Sequence, residues 1–145
     1  MIDTRTAPYA ALLLRISLGV TFIAHALLKI LVFTPAGTVG FFASLGVPGW
    51  LAYPTMGAEL IGGVLLVAGI QTRVVSLALV PVLIGSIVLV HSGNGWLFSN
   101  ANGGWEYPLF LTVAALTQAL LGDGAYSLRS VFTFKVHGNH NVAPA

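Results

Sequence analysis

The sequence predicts an all-α, polytopic membrane protein, built as an antiparallel bundle of four transmembrane helices with a short interfacial segment in the first outer loop. Of the 145 residues, 57% are hydrophobic and only 7% are charged, and the mean hydropathy is +0.92. A soluble domain carries about 25% charged residues to cover its surface. Four apolar runs, each separated from the next by glycine, proline or charge, set the helix count.

The first two runs are bounded by ordinary helix signals. The first covers residues 9–33 and begins after Pro8, which suits a first helical turn. Its length is enough to cross a hydrocarbon core of about 30 Å with some tilt. The second covers residues 51–70, with Pro54 in its first turn and Gly69 near its end. Both are predicted to span the membrane.

The third and fourth runs complete the predicted domain. The third, residues 74–90, contains no charge, and Pro81 removes one of its backbone hydrogen bonds. The fourth, residues 105–121, begins with WEYP and stops at GDG. Residues 1–128 are therefore predicted to form one membrane domain. Residues 129–145 are polar, with Gly, Asn and Pro, and are predicted to be a flexible cytoplasmic tail.

Basic residues predict the orientation of the chain. Arg5, Arg73, Arg129 and Lys135 all fall on one side of the predicted bundle. The loops on the other side contain neither Lys nor Arg. Because cytoplasmic loops are enriched in these residues, both termini are predicted to be cytoplasmic. The tight turn between the second and third runs favours adjacent antiparallel helices.

The first outer loop has an apolar pattern of its own. Phe41, Phe42, Leu45 and Val47 precede Trp50, a residue type that is common at the membrane surface. This pattern predicts a short amphipathic segment that lies in the interface and covers the mouth of the bundle.

Titratable residues from every predicted helix fall in the outer half of the bundle. They are His25, Lys29, Glu59, His91 and Glu106. At about 1.5 Å per helical residue, His25 and Glu59 lie about 12 Å inside the outer boundary, and Lys29 about 6 Å. His91 and Glu106 lie near the outer surface, where they have a simpler alternative role as wetted interfacial residues.

Charged groups at such depth are expected to pair. An ionised side chain costs about 2.5 to 3.5 kcal/mol at the centre of a membrane helix, so Lys29 is predicted to pair with Glu59. His25 with Glu59 has a structural alternative, a polar pair that only joins the first two helices. Arg15 lies nearer the cytoplasmic end and is predicted to be an anchor whose long stem lifts the guanidinium towards the headgroups.

Glycines surround Glu59 in the sequence GAELIGG. Gly57, Gly62 and Gly63 would let another backbone, or a flat ring, approach this helix closely. A close helix interface and a ring-binding slot both remain open.

Composition excludes several classes of function. The sequence has no cysteine, which removes a disulfide framework, a CxxC redox pair and a thiolate nucleophile or ligand. The formal net charge is only +2 and the basic residues are scattered, so nucleic acid is not an expected partner. Redox chemistry, if present, requires a bound cofactor or a quinone.

Three kinds of chemistry remain for the titratable residues. The set His25, Glu59, His91 and Glu106 has the ligand types of a metal site, but it lacks the Glu-x-x-His spacing of bundle metal proteins. Haem is disfavoured because the two histidines differ by about 10 Å in depth. The preferred interpretation is a quinone site in which Lys29 is the counter-charge and His25 and Glu59, as catalytic residues, exchange protons.

At these same residues the sequence resembles the DoxX family of small four-helix membrane proteins. The resemblance covers about residues 11–129 and rests on LLRISLGVTFIAHALLK, AELIGGVLLVAGIQTR, GGWEYPL and GDGAYSL, in that order. The family includes a subunit of thiosulfate:quinone oxidoreductase. The resemblance implies a bacterial inner-membrane protein that is linked to quinone-coupled redox reactions or to membrane complexes handling oxidative stress.

Two hypotheses of different classes follow. In the first, the protein is a subunit of a quinone-linked redox system and binds quinone or quinol through the five titratable residues. In the second, it is a non-catalytic scaffold or assembly partner for another membrane enzyme. Both imply contact with the lipid bilayer, and with either a partner subunit or further copies of the chain.

Overall fold

A computed structural model describes residues 3–128, which are helical and contain no strand. The predicted tail, residues 129–145, lies outside this range. The five α-helices are α1 (Ala7–Leu27), α2 (Thr34–Ser44), α3 (Ala52–Ala68), α4 (Thr72–Gly85) and α5 (Glu106–Leu121). Two of them continue as π-helices, α1 through Leu28–Val32 and α4 through Ser86–His91. The four predicted apolar runs coincide with α1, α3, α4 and α5 to within a few residues.

Three helical segments are long and apolar enough to cross a membrane. They are Ala7–Val32, Gly49–Ala68 and Thr72–Asn94, with 26, 20 and 23 residues. Helix α5 is apolar but has only 16 residues. The protein is therefore a multi-pass membrane protein, and a fourth crossing by α5 stays a prediction.

The four longest helices pack in a closed order. Helix α1 packs on α3, α3 on α4, α4 on α5, and α5 on α1. Their shared core contains Leu18 and Phe22 from α1, Leu66 from α3, Leu79 from α4 and Ala115 from α5. We call the end of the bundle that carries α2 the α2 end. The opposite end, with the α3–α4 turn at residues 69–71, is the turn end.

Two glycines allow α1 and α3 to approach each other closely. A Cβ atom built on Gly63 would lie 2.8 Å from the carbonyl oxygen of Gly19. One built on Gly19 would lie 2.7 Å from the carbonyl oxygen of Gly63. Backbone therefore meets backbone at this crossing, which accounts for Gly63 as part of a helix interface.

Gly63→Ala is expected to destabilise the protein by about 1 to 3 kcal/mol, because the added methyl group forces α1 and α3 apart. The matched control is Gly57→Ala on the same helix, where a Cβ atom meets nothing within 4 Å. This control should unfold at the wild-type midpoint or slightly above it. Thermal unfolding of the three proteins in one detergent makes the comparison. Equal midpoints for Gly63→Ala and the wild type would contradict the packing described here.

Arg15 is not the headgroup anchor that the sequence predicts. The residue is 1% exposed, and its guanidinium donates hydrogen bonds to four backbone carbonyl oxygens. Two acceptors are in α3, Leu66 at 3.2 Å and Val67 at 2.8 Å. The other two, Ala125 at 2.8 Å and Tyr126 at 3.0 Å, follow α5. Arg15 therefore joins three separate segments at the turn end.

The segment after α5 completes the turn end. The Asp123 carboxylate accepts hydrogen bonds from the backbone N–H and the hydroxyl of Thr72, at 3.0 and 2.7 Å, and so satisfies the first turn of α4. The Ala125 N–H donates to the Pro8 carbonyl oxygen at 2.9 Å. Gly69 adopts a φ of 70°, and a Cβ atom there would collide with the Arg15 guanidinium. The GDGAYSL motif and the AGIQTR end of the AELIGGVLLVAGIQTR motif thus meet in one polar cluster.

Helix α2 occupies the loop where the sequence predicts a short amphipathic segment. It starts where Thr34, with a φ of 64°, turns the chain after the π-helix of α1. Thr38 is its only fully buried residue. The Thr38 hydroxyl shares its proton between two carbonyl oxygens, that of Thr34 at 2.9 Å and that of Lys29 at 3.1 Å. Helix α2 is therefore fastened to α1 directly at a residue of the predicted site.

Candidate functional site

A cavity of about 460 Å³ lies at the α2 end, and all five helices contribute to its wall. Most of the wall is apolar, including Phe41 and Phe42 from α2 and Leu45 directly after it. These side chains form one wall of the cavity, in the region where the sequence predicts a cover for the bundle mouth. Four of the five predicted site residues also line it: His25, Lys29, Glu59 and His91.

Lys29 and Glu59 form the predicted ion pair. The Lys29 ammonium lies 2.8 Å from both carboxylate oxygens of Glu59. The Glu59 side chain is 6% exposed and that of Lys29 is 21% exposed. A pair with this geometry and burial is expected to persist, because separating the charges would leave a carboxylate in apolar surroundings.

The position of Lys29 follows from the π-helix that ends α1. In this segment the Phe33 N–H donates to the Leu28 carbonyl oxygen, five residues earlier, at 3.0 Å. The neighbouring Lys29 carbonyl oxygen instead accepts the Thr38 hydroxyl of α2. Such π-helical turns are frequent at functional sites because they reorient a side chain within an otherwise regular helix.

His25 lies one turn before Lys29, on the same face of α1. Its ring is half-buried and stands 6.5 Å from the ring of Tyr107, with an angle of 29° between the planes. Within residues 3–128, neither ring nitrogen of His25 makes a hydrogen bond. Both nitrogens are therefore available to a ligand in the cavity.

His91 ends the π-helix of α4 and is held by the loop that precedes α5. Its Nδ1 atom lies 2.9 Å from the Gly103 carbonyl oxygen. Because a carbonyl oxygen only accepts, Nδ1 carries a proton in this bond, and Nε2 of the neutral ring is then an acceptor. Because His91 lines the cavity, it can offer an acceptor to a ligand there.

Glu106 is not brought to the cavity, although the sequence predicts it as a site residue. It is the first residue of α5, and its carboxylate accepts a hydrogen bond from the Phe98 N–H at 3.1 Å. Its contact is therefore with the loop between α4 and α5. Among residues 3–128, no three His, Asp or Glu side chains gather as metal ligands. The alternative metal set of His25, Glu59, His91 and Glu106 has no support in this geometry.

Tyr107 is one of the cavity residues that the sequence does not predict. It lines the wall next to His25 and is 44% exposed. The WEYP motif contained it, but its neighbour Glu106 drew the prediction because it is charged. Successive side chains on a helix point to different surfaces, and Tyr107 lines the cavity while Glu106 does not.

The chain is similar to known proteins over most of its length. The profile of the family described as DoxX matches residues 10–92. A Bacillus subtilis (strain 168) protein named "Putative oxidoreductase CatD" is 38% identical over 132 residues, which is 91% of this chain and 92% of that protein. No solved structure matches the chain.

Proposed function

The chain belongs to the DoxX family, and from this membership we propose that it is the membrane subunit of a quinone-linked redox system, with quinone or quinol bound in the cavity at the α2 end. The observation that carries the proposal is the buried Lys29–Glu59 pair beside His25, an imidazole with no hydrogen bond of its own in residues 3–128. The naming of the Bacillus subtilis relative as an oxidoreductase supports the same class of chemistry.

The polar end of the cavity suits a quinone headgroup. The two carbonyl oxygens of a quinone accept hydrogen bonds, which the Lys29 ammonium and the His25 imidazole can donate. Reduction to the quinol takes up two electrons and two protons. His25 and Glu59 are the groups that would exchange those protons. The sequence has no cysteine, so we assign the electrons to a partner subunit.

The proposed topology places the α2 end outside. We propose α5 as a fourth span, since 16 helical residues extend about 24 Å and Trp105 continues the apolar surface. The connections at the α2 end, residues 34–50 and 92–105, contain no Lys or Arg, while Arg5 and Arg73 belong to the turn end. The positive-inside rule then makes the turn end cytoplasmic in a bacterial inner membrane.

Quinone binding to the purified protein tests the proposed function. His25→Ala removes a hydrogen-bond donor to a quinone carbonyl oxygen, and Glu59→Gln removes the counter-charge that holds the Lys29 ammonium in place. Each is therefore expected to weaken the binding of a decyl benzoquinone by about tenfold or more. Glu106→Gln is the matched control, since it makes the same change at a carboxylate outside the cavity wall. Binding is measured by quenching of tryptophan fluorescence, with circular dichroism to confirm folding. Wild-type affinity in folded Glu59→Gln would refute the site.

A second candidate function, a scaffold for another membrane enzyme, is favoured by exposed aromatic side chains at the α2 end. Trp50 is 64% exposed and Phe98 is 66% exposed. Exchanging both for serine separates the two candidates. If the protein is a scaffold, the double serine variant should lose its partner in co-purification from the membrane, and Glu59→Gln should keep it. If it is a quinone subunit, Glu59→Gln should lose quinone reduction, and the double serine variant should keep it.

A further inference from the structure

One face of α4 borders the cavity along much of its length. Pro81, Gly85 and Leu89 follow each other at intervals of four residues, so they share one face, and all three line the cavity. Pro81 and Leu89 are also exposed on the surface of the protein. A residue that is both cavity wall and surface marks the rim of an opening.

The depth of this rim decides what lies outside it. Pro81 is near the middle of the span Thr72–Asn94. Thr21, within two residues of the middle of the span Ala7–Val32, also lines the cavity. An opening that reaches the middle of a membrane span borders acyl chains rather than water.

The packing of the helices shows why this side is open. Helix α2 packs on α3 and on the π-helix of α1, while α4 packs on α3 and α5. In the described part of the chain, α2 and α4 are not a packed pair. A Cβ atom built on Gly85 meets nothing within 4 Å, so the α4 wall is unobstructed at this residue.

We propose that the cavity opens sideways into the membrane between α4 and α2, and that its ligand is an amphiphile with a polar ring and a long apolar chain. The ring lies at Lys29 and Glu59, the chain leaves past Gly85 into the lipid, and residue 85 sets the width of this lateral opening. The identity of the ring rests on the proposed function. The existence and direction of the lateral opening do not.

Spin labelling tests the direction of the opening without any quinone. The natural sequence has no cysteine, so Gly85→Cys carries a single label in liposomes. The label is expected to collide with oxygen, which concentrates in lipid, and to be shielded from a water-soluble nickel chelate. Val113→Cys, exposed on α5, calibrates a lipid-facing label, and Ser99→Cys in the α4–α5 loop calibrates a water-facing one. Accessibility like that of position 99 would overturn the proposal.

Two probes test the ligand class. They are dimethoxymethylbenzoquinone, which has no chain, and its decyl derivative. Gly85→Phe is expected to weaken binding of the decyl compound by about tenfold or more, because the new phenyl ring occupies the path of the decyl chain. Binding of the chainless compound should change by less than about twofold. Gly57→Phe is the matched control, because a side chain there also meets nothing within 4 Å but position 57 is not in the cavity wall.

The outcomes separate the two proposals. Equal weakening of both probes by Gly85→Phe would place residue 85 at the ring and overturn the assignment of the chain path. No effect on either probe would overturn it as well. If wild-type protein binds neither probe while the label at position 85 reports lipid, the proposed function fails and the lateral opening stands.

Discussion

Arg15→Leu is expected to cost about 4 kcal/mol or more of folding free energy, the largest single effect that we predict. The substitution removes the guanidinium that donates to four buried or partly buried carbonyl oxygens, at about 1 to 3 kcal/mol for each group that water cannot reach. The Leu66 oxygen keeps a second donor, the Gly69 N–H at 3.1 Å. A loss of this size is a large share of the 5 to 15 kcal/mol that is typical of folded proteins. Unfolding by denaturing detergent, followed by circular dichroism, measures it.

Arg5→Leu provides the matched control, since it makes the same exchange at an exposed arginine near the start of α1. It should leave the unfolding midpoint unchanged. Arg15→Lys is expected to recover only part of the loss, because an ammonium cannot reach carbonyl oxygens on both sides as the planar guanidinium does. If Arg15→Leu unfolds at the same midpoint as the wild type, the guanidinium does not join the three segments in the membrane.

Breaking the Lys29–Glu59 pair is the second large effect. Lys29→Met leaves the Glu59 carboxylate, only 6% exposed, without its counter-charge, and should cost about 3 to 5 kcal/mol. Glu59→Leu should cost less, because the Lys29 side chain is 21% exposed and long enough to move its ammonium towards water. The double variant should be more stable than Lys29→Met alone, since apolar groups of similar size often replace a buried pair without loss.

The double-variant cycle also tests what the pair is for. A double variant that is stable but does not bind quinone would assign the pair to ligand binding rather than to folding. A double variant whose loss equals the sum of the two single losses would show that the two side chains do not interact. Such additivity would contradict the 2.8 Å contacts between them.

The helices could be predicted because their signal is local. Each apolar run is bounded by proline, glycine or charge, and these residues act on the backbone next to them. The Lys29–Glu59 pair could also be predicted, because both residues lie at known distances from the same ends of adjacent helices. Their depths alone therefore place Lys29 and Glu59 close together in the membrane. Because burying an unpaired charge is costly, the two opposite charges are expected to pair.

Other parts of the fold and of the site depend on contacts that the spacing of residues in the sequence does not encode. The acceptors of Arg15 are backbone carbonyl oxygens 51 to 111 residues away, so no side-chain pattern marks them. Glu106 has the right depth for the site, but its carboxylate is used by the N–H of Phe98 in a loop whose shape is not evident from composition. Helix α2 is rich in glycine, which weakens the local helix signal.

The polar cluster around Arg15 bears on whether a ligand could pass through the bundle from one side of the membrane to the other. Arg15, Thr72 and Gln118 are at most 1% exposed, so the bundle is closed at the turn end, whereas the cavity lies at the α2 end. A bundle closed at the turn end, with the lateral opening proposed above, would exchange its ligand with a single leaflet. Under the proposed function, any vectorial work, such as charge separation, would then come from the proposed partner subunit.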